Sequence, residues 1–146
     1  MNTSATTHDT SIKILLIVFA ALLLGQCIFL GVILLIHSQG FQLVEEGAKI
    51  FQYIAIALTL SAIGVSTFVY RNMMNQAQAQ SRRPDPMGTY RTGTIIRLAI
   101  LEGGNVVNLA FYLLTAKEIF LGLFAVIIAA FFLARPASDK IASEHS

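Results

Sequence analysis

Charged side chains are scarce in this chain: only 12% of its 146 residues are Asp, Glu, Lys or Arg. Ordinary soluble domains carry about 25%. Because 55% of the residues are hydrophobic, a water-soluble fold of this size has too little polar surface to cover them. The shortage of charge therefore excludes a free soluble domain, and the long apolar blocks leave no room for one beside them.

Cysteine and histidine are nearly as rare, and this limits the chemistry that we expect. Cys27 is the only cysteine, so an intrachain disulfide is excluded, and a lone thiol in an apolar run usually packs as a small hydrophobe. His8, His37 and His145 have no metal-ligand spacing, so we expect no metal site. We also find no Ser-His-Asp arrangement and no glycine-rich phosphate loop. The chain is therefore expected to be neither an enzyme nor a cofactor-binding protein.

What the chain does have is four long apolar segments, at 14–36, 50–70, 93–114 and 119–134. Runs of about 18 or more apolar residues are typical of membrane spans, and the shorter fourth run needs extra length from its flanks. A polar start and a long first run argue against a cleavable signal peptide. We predict one all-α domain over residues 1–146, a polytopic membrane protein with four transmembrane helices in two antiparallel hairpins.

The basic residues mark one side of these spans. Lys49 and Lys117 flank the other side, beside glutamates, whereas the first side is flanked by Lys13, Arg71, Arg82, Arg83, Arg91, Arg135 and Lys140. The positive-inside rule then places both termini and the loop 71–91 in the cytoplasm. Nucleic-acid binding would need a larger basic surface with interleaved aromatic residues, so we expect the bilayer and not nucleic acid as partner.

Small residues at four-residue spacing predict where helices approach closely in lipid. The first two spans carry such pairs, and the fourth span offers further small residues: Ala21 and Gly25, Ala57 and Ser61, Ala62 and Ser66, then Gly122, Ala125 and Ala129. They favour a packed bundle and association with membrane proteins, as a homo-oligomer or a hetero-oligomer.

Polar residues at mid-membrane depth are the best functional lead. Glu102 lies near the middle of the third span, where a carboxyl group costs roughly 2.5–3.5 kcal/mol on insertion scales. Gln26, Thr59 and Ser61 lie at similar depth, and Asn105 is one turn after Glu102. Since the membrane interior offers no water, we expect these five groups to converge inside the bundle.

Arg97 and Asn108 form a second polar face on the same span. At 100° per residue Arg97 lies about 140° from Glu102 around the helix, so a direct ion pair is not expected. Arg97 instead aligns with Asn108 and is close enough to the cytoplasmic edge to extend its charge towards water.

Two functions fit this polar centre. In the first, Glu102 is a structural acid in a non-enzymatic subunit or accessory protein of a membrane assembly. In the second, it carries a proton or binds a cation in a proton- or cation-linked carrier, because intramembrane acids commonly serve such roles.

The second half of the chain also carries a family resemblance. The segment Tyr90-Arg91-Thr92-Gly93-Thr94-Ile95-Ile96-Arg97, then Leu101-Glu102-Gly103, Tyr112-Leu113-Leu114-Thr115 and Arg135-Pro136, resembles small four-helix membrane proteins of Bacteroidota-type bacteria. The resemblance implies an inner-membrane location and supplies no substrate. The stretch Leu98-Ala99-Ile100-Leu101-Glu102 is more faintly similar to proteolipid subunits of rotary ATPases. The acid here, however, lies on the first helix of its hairpin and not on the second.

Overall fold

The computed structural model describes residues 3–40, 48–79 and 86–135. Its four helices are α1 (Thr3–Ser38), α2 (Ala48–Ala79), α3 (Pro86–Thr115) and α4 (Glu118–Leu133), which confirms the all-α class. Residues 80–85 and both chain ends, where part of the predicted basic side falls, lie outside the described residues.

Three helices are long and apolar enough to cross a membrane, over Ile12–Ser38, Lys49–Gln76 and Gly88–Thr115. They support the prediction of a membrane protein. The helix α4 has 16 residues, or about 24 Å at 1.5 Å per residue, against a hydrocarbon core of about 30 Å.

The ends of α3 follow from local backbone chemistry. The helix begins at Pro86, because the first helical position needs no N–H donor and favours the fixed φ of proline. It ends at Thr115, and Ala116 then takes a left-handed φ of 52° while its N–H donates to the Tyr112 carbonyl oxygen at 2.8 Å. With only Ala116 and Lys117 between them, α3 and α4 have to run antiparallel.

The helix α3 is the centre of the bundle. It packs against α1, α2 and α4, whereas no Cα of α1 lies within 8 Å of a Cα of α2 in the described part of the chain. The predicted tight α3–α4 hairpin is present, whereas α1 and α2 each pack against α3 and not against each other in the described residues. The physical reason lies in α3, whose buried amides bond α1 through one residue and α2 through another.

Two apolar clusters fill the bundle on either side of a polar layer. At one end Phe19 of α1 stacks on Phe131 of α4, with ring centroids 4.9 Å apart. At the other end Phe120 packs against Phe111, and His37 stacks on Tyr112 at 4.8 Å. The pairing of early α1 with late α4, and of late α1 with late α3, makes α1 and α3 parallel.

The close approach of α2 to α3 uses one of the predicted small-residue pairs. Ala62 and Ser66 are buried, and a Cβ added to Gly104 would lie 3.0 Å from both the Ala62 Cβ and the Ile127 Cδ1. The remaining predicted small positions are exposed on the bundle surface: Ala21, Gly25, Ala57, Ser61, Gly122, Ala125 and Ala129.

Candidate functional site

In the polar layer between the two apolar clusters, one side-chain hydrogen bond links α1 to α3. The Asn105 Nδ2 donates a hydrogen bond to the Gln26 Oε1 at 2.8 Å, and both side chains are buried. In a setting without water, such a bond between helices contributes roughly 0.6–2 kcal/mol. The bond therefore fixes the rotation of α1 against α3 near the middle of both spans.

A second buried bond joins α2 to α3 one turn further along. The Asn108 Nδ2 donates to the Thr59 Oγ1 at 2.9 Å, and both residues are almost fully buried. Asn105 and Asn108 thus project from α3 towards different neighbours. Their spacing of three residues, 60° around the helix axis, is what lets one helix hold two others.

Three polar atoms of this layer keep unused hydrogen-bonding capacity. The Gln26 Nε2, the Asn105 Oδ1 and the Asn108 Oδ1 are buried without a hydrogen-bond partner in the described part of the chain. Each such group carries a desolvation cost of about 1–3 kcal/mol. A small polar molecule that bound in this layer could therefore form hydrogen bonds with these atoms.

Glu102 lies apart from both pairs. It is partly buried, and among the described residues its carboxyl group makes no hydrogen bond and no ion pair. Ser61 is exposed on α2. The structure thus brings Gln26 to Asn105 and Thr59 to Asn108, and it brings neither Glu102 nor Ser61 to these pairs.

Glu102 borders a side of α3 that no other helix covers in the described part of the chain. Ala99, Gly103 and Val106 are exposed there, at spacings of four and three residues that keep them on one face. A Cβ added to Gly103 would meet nothing within 4 Å. We call Ala99, Gly103 and Val106 the α3 stripe; Glu102 stands on the edge of this stripe that lies towards α1.

Arg97 lies on the opposite side of α3, in the seam with α2. Its guanidinium carbon is 5.4 Å from the centroid of the Tyr70 ring, a cation–π contact, and its Nε is buried without a hydrogen-bond partner among the described residues. No ion pair joins Arg97 to Glu102 within that part of the chain, in line with their separation around the helix.

Sequence reasoning missed the aromatic surroundings of Arg97. Tyr70 and Tyr90 contact each other edge to face, with ring centroids 6.4 Å apart, and the buried Thr94 lies one turn before Arg97. The positions of the two tyrosines near the ends of their spans could have indicated this cluster, since tyrosines concentrate near membrane–water interfaces. Hydropathy alone does not reveal that residues on two helices meet.

The residues that the structure describes contain no candidate metal site, and their one cysteine is free. They contain no group of three or more His, Cys, Asp or Glu side chains that could hold a metal ion. Cys27 is an exposed free thiol on α1.

Comparisons with known proteins give no match of any of three kinds. No protein-family model, no curated protein and no solved structure is similar to this chain. The family resemblance of the second half therefore stays a prediction.

Proposed function

We propose that this chain is a non-enzymatic integral membrane subunit that assembles with a second copy of itself through the α3 stripe. One observation carries the proposal. An acidic side chain, Glu102, lies near the middle of a membrane-length helix without a partner in the described residues, beside small exposed residues. In lipid such a group gains most from a hydrogen-bond partner on another helix.

The shape of the stripe favours close helix contact. Gly103 and Ala99 are four residues apart, the spacing that lets two helix backbones approach in a membrane. Space is available at Gly103, because an added Cβ would touch nothing within 4 Å. Val106 extends the same face by one turn. A neighbouring helix thus has room to approach α3 closely at Gly103, next to Glu102.

A second copy suits this face because a protonated carboxyl group complements itself. It has one O–H donor and one acceptor oxygen, so two such groups can exchange two hydrogen bonds. Copies inserted in the same direction are related by a two-fold axis along the membrane normal, which brings each residue of the stripe near its own counterpart. Glu102 then meets Glu102 of the other copy at equal depth.

In this proposal α4 is a fourth span, and the protein lies in the bacterial inner membrane with both termini in the cytoplasm. The packing supports a single basic end, since the antiparallel arrangement brings Arg71, Arg91 and Arg135 to one end of the bundle. Modest local thinning of the bilayer accommodates the short α4.

Cysteine cross-linking tests the occupant of the stripe. In a Cys27→Ser background, Gly103→Cys should form disulfide-linked dimers on oxidation in vesicles that contain only this protein. Leu60→Cys is the matched control, because Leu60 is 66% exposed on α2 and lies near the middle of its span. Equal cross-linking of the two variants, or none at Gly103→Cys, would overturn the proposal. A cross-link to a chain of different mass, seen only in native membranes, would replace the second copy by another partner.

Variants of Glu102 test the hydrogen bond itself. Glu102→Gln should keep the association, since an amide also donates and accepts. Glu102→Leu should weaken it by about tenfold, because an interhelical bond of this kind contributes roughly 1–2 kcal/mol. The measurement is resonance energy transfer between labelled copies as the lipid-to-protein ratio is varied.

A proton- or cation-linked carrier is the second candidate. The observation in its favour is that the unpaired Glu102 lies one turn from Asn105, whose buried Oδ1 lacks a partner in the described residues. Carboxylate and amide oxygens are the ligands that hard cations take. A carrier predicts that Glu102→Gln abolishes ion flux into reconstituted vesicles while Glu102→Asp keeps part of it. Flux that persists in the Gln variant counts against the carrier.

A further inference from the structure

A second polar cluster lies in the seam between α2 and α3, away from Glu102. It comprises Arg97 and the two tyrosines, Tyr70 and Tyr90, with the exposed Arg71 next in sequence to Tyr70. Arg71, Tyr70 and Tyr90 all lie within electrostatic reach of the Arg97 guanidinium. The seam is tight at this point, since a Cβ added to Gly93 would lie 3.2 Å from the Met74 Cε and 3.5 Å from the Tyr70 ring.

The charge of Arg97 is not balanced within the described residues. It has no carboxylate partner there and its Nε makes no hydrogen bond, while the positive charge of Arg71 also acts on it. The Tyr70 ring compensates only in part, because a cation–π contact contributes about 0.5–2 kcal/mol. Thr94, 2% exposed and one turn away, keeps an unpaired hydroxyl as well. The cluster thus offers positive charge and hydrogen-bond donors without a carboxylate among the described residues to balance that charge.

The depth of the cluster matches the level of lipid headgroups. The membrane-length part of α3 has 28 residues, or about 42 Å, which exceeds the hydrocarbon thickness by about 12 Å. Arg97 is nine residues from the start of that part, so its Cα lies about 7–8 Å inside the apolar layer. The arginine side chain spans about that distance, and its head can reach the phosphate level.

We infer that Arg97, Arg71, Tyr70 and Tyr90 form a binding site for an anionic phosphate group at the α2–α3 seam, at the basic end of the bundle. The guanidinium fork of Arg97 matches two phosphate oxygens, and Arg71 adds charge from the surface side. Basic sites between transmembrane helices on the cytoplasmic side are a known way to hold lipid headgroups. The inference is independent of the association through the α3 stripe.

Native mass spectrometry of the full chain tests this site. The protein is equilibrated with equimolar phosphatidylglycerol and phosphatidylcholine, and the ratio of retained lipids is measured. The wild type should retain phosphatidylglycerol preferentially. Arg97→Gln should lower that preference by about tenfold or more, because it removes hydrogen bonds from a charged donor to the phosphate. Arg97→Lys should restore part of it, because the charge returns without the planar fork.

Arg135→Gln is the matched control, since it removes the same charge from the same end of the bundle at an exposed position. An equal loss in Arg135→Gln and Arg97→Gln would mean that surface charge alone attracts the lipid and would overturn the site. Arg71→Gln keeps the test valid if Arg97→Gln fails to fold, because Arg71 is exposed; it should also lower the preference, and an unchanged ratio would count against the site. A parallel titration with inorganic phosphate separates the sources. Displacement of the lipid assigns the site to free phosphate, whereas retention assigns it to a headgroup.

Discussion

The two sides of α3 carry polar residues within two turns of each other, and these residues are in opposite situations. On the covered side, Asn105 and Asn108 are buried and each donates a hydrogen bond to a neighbouring helix. On the uncovered side, Glu102 has no such partner in the described part of the chain. The neighbouring glycines repeat the contrast. An added Cβ at Gly104 would press on Ala62 and Ile127 at 3.0 Å, and one at Gly103 would touch nothing within 4 Å.

This difference separates two uses of polar and small residues in a membrane. Paired amides and a crowded glycine hold the helices of one chain together, because lipid offers no competing partner. An unpaired acid and an uncrowded glycine contribute little to that fold, and they are available to another molecule. The stability of the monomer and its association should therefore respond to substitutions on different sides of α3.

The glycine pair gives the largest expected effect. Gly104→Leu should destabilise the bundle by about 3 kcal/mol or more, because the side chain would have to displace α2 and α4. Gly103→Leu should leave the monomer within about 0.5 kcal/mol of the wild type and instead weaken association. The free energy of unfolding in mixed micelles with increasing dodecyl sulfate measures the first effect. Similar losses of unfolding free energy in the two variants would show that both sides of α3 contribute equally to the stability of the monomer.

The Gln26–Asn105 bond comes next. Asn105→Leu should cost about 1–2 kcal/mol, because it removes the bond and leaves the buried Gln26 amide without its donor. Gln26→Leu in the same chain should recover part of the loss, since the second unpaired group is then removed too. The same unfolding assay measures both. A strictly additive double variant would show that the two amides do not interact.

The Asn108–Thr59 bond should give a smaller coupling. A double-mutant cycle with Asn108→Ala and Thr59→Val should show an interaction of about 0.6 kcal/mol, the average for such bonds in membranes. As a control, Asn108→Ala paired with Ser61→Ala should show no coupling, because Ser61 is exposed on the other face of α2.

Glu102→Gln should have the smallest effect on the monomer, within about 0.5 kcal/mol of the wild-type unfolding free energy. The reason is that Glu102 holds no other described residue in place. A large loss of monomer stability would mean that Glu102 belongs to the covered side after all, and would remove the basis for the α3 stripe.

Much of this architecture was predictable from composition and hydropathy. The helical class and three of the spans follow from apolar runs that are long enough to cross a bilayer. The positions of Gln26, Thr59, Asn105 and Glu102 within those runs place all four near the middle of a span. The predicted geometry on α3 also agrees for Arg97, which does not pair with Glu102. Composition and hydropathy did not indicate that α1 and α2 both pack on α3 and not on each other in the described residues, because that depends on which faces of the helices meet.

The sequence by itself determined which segments are apolar enough to cross a bilayer and how far along its segment each polar residue lies, because both depend only on counting along one helix. The tertiary structure decided which polar residues meet. It turned Asn105 towards α1 and Asn108 towards α2, left Glu102 on an uncovered face and brought Tyr70 to Arg97. These outcomes depend on how each helix rotates about its own axis and on which neighbours it packs against. Contacts among residues far apart in the chain determine both.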